Sequence, residues 1–157
     1  MNSIVKIHWD SKIPIYEISH LKLQKKGIKS LLIDVDGTLL SSQSITIPTN
    51  VKNWIKESKK FFSLYLISNN RSNERIRKIA KELNIRYKSN ALKPRIKNTL
   101  EVISEMNEES KNIAIIGDRI FTDIIVGNRC NIQTILVKRL SRNGLPIEFN
   151  LTLILEK

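Results

Sequence analysis

Leu31-Leu32-Ile33-Asp34-Val35-Asp36-Gly37-Thr38-Leu39-Leu40 is the stretch that decides the fold. A short apolar run ends in two acids one residue apart and then a Gly-Thr turn. Apolar runs of this length, bounded by turn residues, read as buried strands of a parallel sheet. Asp34 and Asp36 are therefore expected at the carboxyl end of a strand, where open α/β sheets keep their ligand sites. With strand periodicity both side chains leave on one side, about 6–7 Å apart. Carboxylates that close disfavour each other's ionisation unless a cation or a shared proton intervenes.

Outward from this stretch, strand and helix patterns alternate. Toward the amino end, residues 18–26 read as a short amphipathic helix closed by Gly27. Residues 1–17 form an arm in which Val5, Ile7 and Trp9 alternate with Lys6 and His8, as in an extended segment lying on the core. Pro14 argues against a helix running through the second half of the arm. Trp9 reads as a packing residue, with a membrane interface as the alternative. Toward the carboxyl end, a loop over 41–49 leads to a helix from Asn50 to about Lys59 carrying Val51, Trp54 and Ile55 on one face. A strand over 61–67 ends in Ser68-Asn69-Asn70. Then come a helix over 72–83, a short strand over 84–87, and a helix opened by Pro94 and running to about Met106. A strand over 113–116 ends in Gly117-Asp118, a helix spans about 122–129, and a strand covers 134–137. The tail over 145–157, with Leu151, Leu153, Ile154 and Leu155, suits a helix or an edge strand. This alternation predicts an α/β, three-layer, doubly wound parallel sheet. A single domain over 1–157 is expected, with residues 1–27 as an arm and short helix packing on the core.

The 27 Lys and Arg outnumber 15 Asp and Glu, giving a net charge of +12. That field attracts polyanions, including anionic lipid surfaces and phosphorylated substrates, but a lysine-rich solvated surface explains it equally well. No apolar run approaches the ~20 residues of a membrane span. The first residues carry charge too early for a secretory signal, so a cytoplasmic protein is expected. The lone Cys130 excludes an internal disulfide and reads as a small buried hydrophobe. No clustered stacking aromatics mark an RNA-binding surface, so nucleic acid is not an expected partner.

Every strong polar signal falls where a strand stops. Asp34 and Asp36 follow the first core strand and Ser68 and Asn69 the second. Lys93 precedes the helix after the third, and Asp118 and Asp123 follow the fourth. Parallel strands put their carboxyl ends on one edge, so these groups can converge. Carboxylates without His or Cys suit a hard cation such as Mg²⁺. A lysine and a hydroxyl beside them suit a phosphate dianion. Asp34 could then attack phosphorus, with Asp36 passing a proton to the leaving alkoxide and later taking one from water. Asp123 reads also as a helix N-terminal dipole partner. Arg71, Arg95 and Arg119, near the same edge, read as surface side chains.

These residues resemble the haloacid dehalogenase (HAD) superfamily of phosphohydrolases. Its four motifs are matched in order by Asp34-Val35-Asp36-Gly37-Thr38, Ser68-Asn69-Asn70, Lys93-Pro94 and Gly117-Asp118-Arg119-Ile120-Phe121-Thr122-Asp123, across roughly residues 20–140. The resemblance implies a HAD-like Rossmannoid fold with Asp34 as the nucleophile that becomes an aspartyl phosphate and Asp36 as the general acid and base. It implies that Lys93 neutralises Asp34 and the transferring phosphoryl group. Ser68 and the backbone amide of Asn69 would hold phosphate oxygens, and Thr38 would fix the first loop. Mg²⁺ would be held by Asp34, Asp36 through its backbone carbonyl, Asp118 and Asp123.

Neither the gap from Asp36 to Ser68 nor that from Asn70 to Lys93 leaves room for an inserted cap domain, so an open site is expected. Gly127-Asn128 and Thr134-Ile135-Leu136-Val137 extend the fourth motif. With the approach from Leu23 to Asp36, they are similar to the YqeG-type group of subfamily IIIA, related to phosphatidylglycerophosphate phosphatases. Gly37 stands where that group usually has Asn. The resemblance implies hydrolysis of phosphatidylglycerophosphate to phosphatidylglycerol, by a protein peripheral on the inner face of the membrane. Two other functions are carried: the same chemistry on a soluble sugar or nucleotide phosphate, and a non-catalytic HAD scaffold that binds RNA or another anion.

Overall fold

The computed structural model describes residues 5–148. Six strands pair in parallel in the order β1-β6-β5-β2-β3-β4. They are β1 (Trp9–Asp10), β2 (Ser30–Ile33), β3 (Ser63–Ile67), β4 (Arg86–Lys88), β5 (Ile113–Gly117) and β6 (Gln133–Leu136). Helices α1 (His20–Lys25), α2 (Thr49–Ser58), α3 (Asn73–Leu83), α4 (Lys97–Met106) and α5 (Ile125–Arg129) join them. From β2 the chain moves outward through β3 and β4, then returns to the other side of β2 with β5 and β6. The crevice between β2 and β5 is thus a topological switch point, where ligands of such sheets bind.

Both faces of the sheet are covered, and the strand periodicity assigns each residue to one of them. Leu31, Ile33, Leu64, Leu66, Ala114 and Ile116 pack with Leu23 of α1, Trp54 and Ile55 of α2, and Ile76 and Ile79 of α3. Leu32, Tyr65, Ile67, Ile113 and Ile115 pack on the opposite side with Val102 and Met106 of α4 and Val126 of α5. Strands buried on both faces read as continuous apolar runs for this reason. Each Leu or Ile so placed contributes roughly 1.5–3 kcal/mol relative to exposure. The expected three-layer arrangement is the observed one. The Asp36–Ser68 interval is spent on a loop, α2 and β3, and the Asn70–Lys93 interval on α3 and β4, with no cap inserted.

Several boundaries differ from the sequence expectation. β2 closes at Ile33, so Asp34 and Asp36 lie just past the strand rather than alternating along it. Phe61 and Phe62 are not in β3; they form a turn in which Phe61 is exposed and both rings lie close to His20. β4 starts at Arg86 because Asn84 ends α3 with a left-handed φ of 53° and keeps the following residue out of the strand. Helix α4 begins at Lys97, not at Pro94; a turn closed by Arg95 N–H donating to Leu92 O occupies the interval. A turn of π-helix over Ile120–Ile124 precedes α5. The arm contributes the edge strand β1 and, after Pro14, a single 3-10 turn over Ile15–Glu17, with Trp9 beneath the ammonium groups of Lys22 and Lys26. Residues 149–157, the greater part of the expected tail element, lie outside the described residues. Among those described, no helix is long and apolar enough to cross a membrane.

Candidate active site

A cleft of about 230 Å³ opens over the carboxyl ends of β2, β3 and β5, with Asp34, Asp36, Ser68, Asn69 and Lys93 in its wall. Asp34 leaves β2 still tied to the sheet, its N–H donating to Ile116 O at 2.9 Å. The chain then turns at Gly37, whose φ is +90°, and returns so that Gly37 N–H meets Leu40 O at 2.7 Å. That turn buries Thr38, which donates to Asp34 Oδ2 at 3.0 Å and to Asp118 Oδ1 at 3.3 Å.

Lys93 is the centre of the buried part. Its ammonium donates to Asp34 Oδ1 at 2.9 Å, to Asp123 Oδ1 at 2.6 Å and to Ile67 O at 3.2 Å. Its main chain is braced by Asn69: Asn69 Oδ1 accepts from Lys93 N–H at 2.7 Å and Asn69 Nδ2 donates to Lys93 O at 2.8 Å. Ser68 is 1 % exposed. Its oxygen accepts from Asn70 N–H at 3.1 Å, leaving the hydroxyl proton available to a ligand. Asp123 sits in the first turn after Arg119 and accepts that residue's N–H at 3.2 Å, so it does face a helix terminus. Its other oxygen meets Lys93, which makes it more than a dipole partner.

Burial raises Asp34 to about 6, with Lys93 pulling the other way and Asp118 adding to the rise. Asp123 is likewise raised to about 6 by burial and by Asp34, against Lys93. For Lys93 burial favours the neutral amine, but Asp123 and Asp34 overcome it and hold the group above the usual lysine value. Crowded, partly protonatable carboxylates of this kind fit a divalent cation. One carboxylate oxygen from each of Asp34, Asp118 and Asp123 lies within 4.8 Å of the others. All donors are oxygens, as hard cations require.

Two arginines enter that the sequence reading did not single out. Arg139 Nε donates to Asp118 Oδ2 at 2.7 Å. Arg75, on α3, donates to Asp36 Oδ1 through Nη2 at 2.7 Å and Nε at 3.2 Å. Asn70 Nδ2 holds the other oxygen of Asp36 at 2.8 Å. The Asp36 side chain therefore faces α3 and lies apart from the Asp34–Asp118–Asp123 group. The structure brings Asp34, Thr38, Lys93, Asp118 and Asp123 into one connected network. Ser68 and Asn69 stand at its wall and Asp36 across the cleft. Ser42, Asn70, Arg119 and Thr122 also line the cleft.

The sequence profile of the family described as mitochondrial PGP phosphatase matches residues 2–140. The chain belongs to that family. It is 28% identical over 137 residues to the protein named Probable phosphatase YqeG of Bacillus subtilis (strain 168), a match covering 87% of this chain and 80% of that one. It is 29% identical over 133 residues to phosphatidylglycerophosphate phosphatase 1, chloroplastic/mitochondrial, of Arabidopsis thaliana, covering 79% of this chain but 38% of the longer plant protein. Among solved structures, an uncharacterized protein from Listeria monocytogenes serotype 4b superposes with a TM-score of 0.60 at 16% identity, covering 79% of this chain and 84% of that one. The cobalt-bound form of the Haemophilus influenzae deoxy-D-mannose-octulosonate 8-phosphate phosphatase gives 0.51 at 18%, covering 75% and 81%. The fold is HAD-like and the protein is a HAD-type phosphatase.

Proposed function

We propose that the protein is a Mg²⁺-dependent phosphomonoesterase that works through an aspartyl phosphate on Asp34 and hydrolyses phosphatidylglycerophosphate to phosphatidylglycerol. The observation that carries this reading is the placement of a buried Asp34 at the switch point of the sheet, with the Lys93 ammonium 2.9 Å away and Thr38 fixing its second oxygen. Family membership and the name of the plant relative support the lipid substrate. An uncapped cleft suits a headgroup presented on a surface.

In this reading a carboxylate oxygen of Asp34 forms a bond to phosphorus as the bond from phosphorus to the ester oxygen breaks. Asp36 gives its proton to the departing alkoxide. Asp36, now a carboxylate, takes a proton from the water that attacks the aspartyl phosphate, which releases inorganic phosphate and restores Asp34. Lys93, the Ser68 hydroxyl and the backbone N–H of Asn69 hold the negative oxygens of the phosphoryl group throughout. A divalent cation held by Asp34, Asp118 and Asp123 would offset their charge and polarise the phosphoryl group. The metal of the Haemophilus influenzae enzyme is in keeping with such a site.

The test is phosphate release from phosphatidylglycerophosphate in detergent micelles and from a panel of soluble sugar and nucleotide phosphates, with Mg²⁺ or with EDTA. Activity on the lipid that needs Mg²⁺ and disappears in Asp34→Asn is the expected result. Turnover of soluble esters alone would reassign the substrate. An unimpaired Asp34→Asn would overturn the mechanism.

A further inference from the structure

The edge that carries the cleft differs in surface chemistry from the rest of the molecule. In the loops 34–48, 68–72, 89–97 and 117–124, the only acids are Asp34, Asp36, Asp118 and Asp123, and none of these is an exposed residue. In the loop 137–148 the one acid, Glu148, is exposed and paired with Lys138, as Glu74 in the first turn of α3 is with Lys78. Apart from Glu148, the exposed charges of these loops are basic, among them Arg71, Arg95 and Arg119. The same loops present the two most exposed large apolar side chains among the described residues, Ile45 at 88 % and Phe121 at 81 %, together with Ile96 at 40 %. Each of these six residues is, or lies within three positions of, a residue lining the cleft. At the opposite edge the charges are mixed, as in the exposed pairs Lys60–Glu57 and Lys111–Glu109.

Scattered exposed apolar residues need no explanation, but apolar tips set among arginines around one opening, where the exposed acids are each paired with a lysine, have a physical use. We propose that this edge docks on an anionic lipid bilayer, with Ile45, Phe121 and Ile96 entering the interfacial layer and the arginines facing lipid phosphates. The proposal rests on the lipid-substrate reading for its purpose and deepens it: docking would set the cleft mouth at the depth of a headgroup phosphate. A nucleic acid partner would instead call for several stacking aromatics, and Phe121 is the one aromatic in these loops.

The full chain would be sedimented with vesicles of phosphatidylglycerol and phosphatidylcholine, and with phosphatidylcholine alone. Neither contains a phosphomonoester, so binding is scored apart from turnover. Wild type should pellet with the anionic vesicles and remain in solution with the neutral ones. Ile45→Ser/Phe121→Ser and Arg71→Glu/Arg95→Glu should each weaken binding by roughly tenfold or more. Their rate on a soluble phosphomonoester should stay within twofold of wild type, which also shows that they fold. Lys60→Glu/Lys111→Glu, the same charge change on the far edge, should bind like wild type. Absence of anionic-vesicle binding, wild-type binding by both edge variants, or an equal loss in the far-edge variant would overturn the proposal. Vesicle binding without phosphatidylglycerophosphate turnover would sink the substrate reading and leave docking intact. Turnover in micelles without vesicle binding would do the reverse.

Discussion

The guanidinium of Arg75 reaches from α3 to hold the Asp36 carboxylate, and the same group donates to the carbonyls of Ser41 and Ser44. The proposed acid and base is thereby tied to the loop that supplies Ser42 to the cleft. Arg75 touches neither Asp34 nor the Asp118–Asp123 pair, so its role would be to position Asp36. Arg75→Ala should lower kcat on the order of 10²-fold with little change in KM, because a misplaced proton donor costs rate rather than affinity. Arg75→Lys should recover only part of the loss, since one ammonium cannot reproduce the two-pronged contact. Steady-state kinetics on a soluble ester checks this. A KM effect equal to the kcat effect would assign Arg75 to substrate binding instead.

Lys93 is the sole ammonium among the described residues that is buried against Asp34 and Asp123, its side chain being 1 % exposed. Replacing it with Met leaves two carboxylates in the interior without a cation. In metal-free buffer at neutral pH, urea unfolding of Lys93→Met should show a loss of about 3–5 kcal/mol. At pH 5 the loss should shrink, because both carboxyls can protonate. Adding Asp123→Asn should restore part of the stability but none of the activity. A cost below about 1 kcal/mol would mean that water reaches these groups.

What the sequence disclosed and what it withheld follow from one distinction. Asp34, Ser68 and Asp118 were legible because each ends or directly follows an apolar run, and a polar residue there lies at a strand's carboxyl edge. Lys93 was legible only through its place in an ordered set of motifs. Arg75 was not, because it sits on the polar side of α3 beside Arg77 and Lys78, and local pattern does not say which of several bases turns inward. Arg139 hid in the same way next to Lys138. The partnership of β1 with β6 joins residues more than 120 positions apart, so alternation could predict an extended arm but not its neighbour. Phe61 and Phe62 adjoin the apolar run of β3 in the sequence, but their rings gather around His20 instead of entering the strand.

The raised carboxyls give pH and metal dependences of definite sign. Asp34 and Asp123 go from 3.8 in the unfolded chain to about 6 in the folded protein. Between these values the folded state binds more protons, so the metal-free protein loses stability as pH rises from about 4 to above 6. The effect is on the order of 3 kcal/mol per carboxyl at most. His8 and His20, both lowered by burial, act in the opposite sense in part of that range. The Mg²⁺-induced rise in Tm isolates the carboxyls, because the histidine contribution is common to both samples. That rise should be larger at pH 7.5 than at pH 5, since the cation competes with protons for the same oxygens. A rise independent of pH would place the cation elsewhere.

Gly37 is fixed by two demands at once. Its φ of +90° lies in the left-handed region, and a Cβ there would stand 2.5 Å from Asp118 Oδ2. Asp118 cannot simply swing aside, because Arg139 holds that oxygen at 2.7 Å and Thr38 bonds the other. Gly37→Ala should cost about 1–2 kcal/mol from the backbone alone. It should also raise the Mg²⁺ concentration for half-maximal activity at least about tenfold, as shifts in the support of a metal ligand do. Gly37→Asn, which brings the motif to the form usual in the YqeG-type group, should act in the same direction in this chain, because the carboxylate beside it is already placed for a glycine. Mg²⁺ titration of activity, with substrate KM followed at saturating metal, separates the two parts. Wild-type metal dependence in Gly37→Asn would show that Asp118 has room to yield, and that the glycine serves the turn alone.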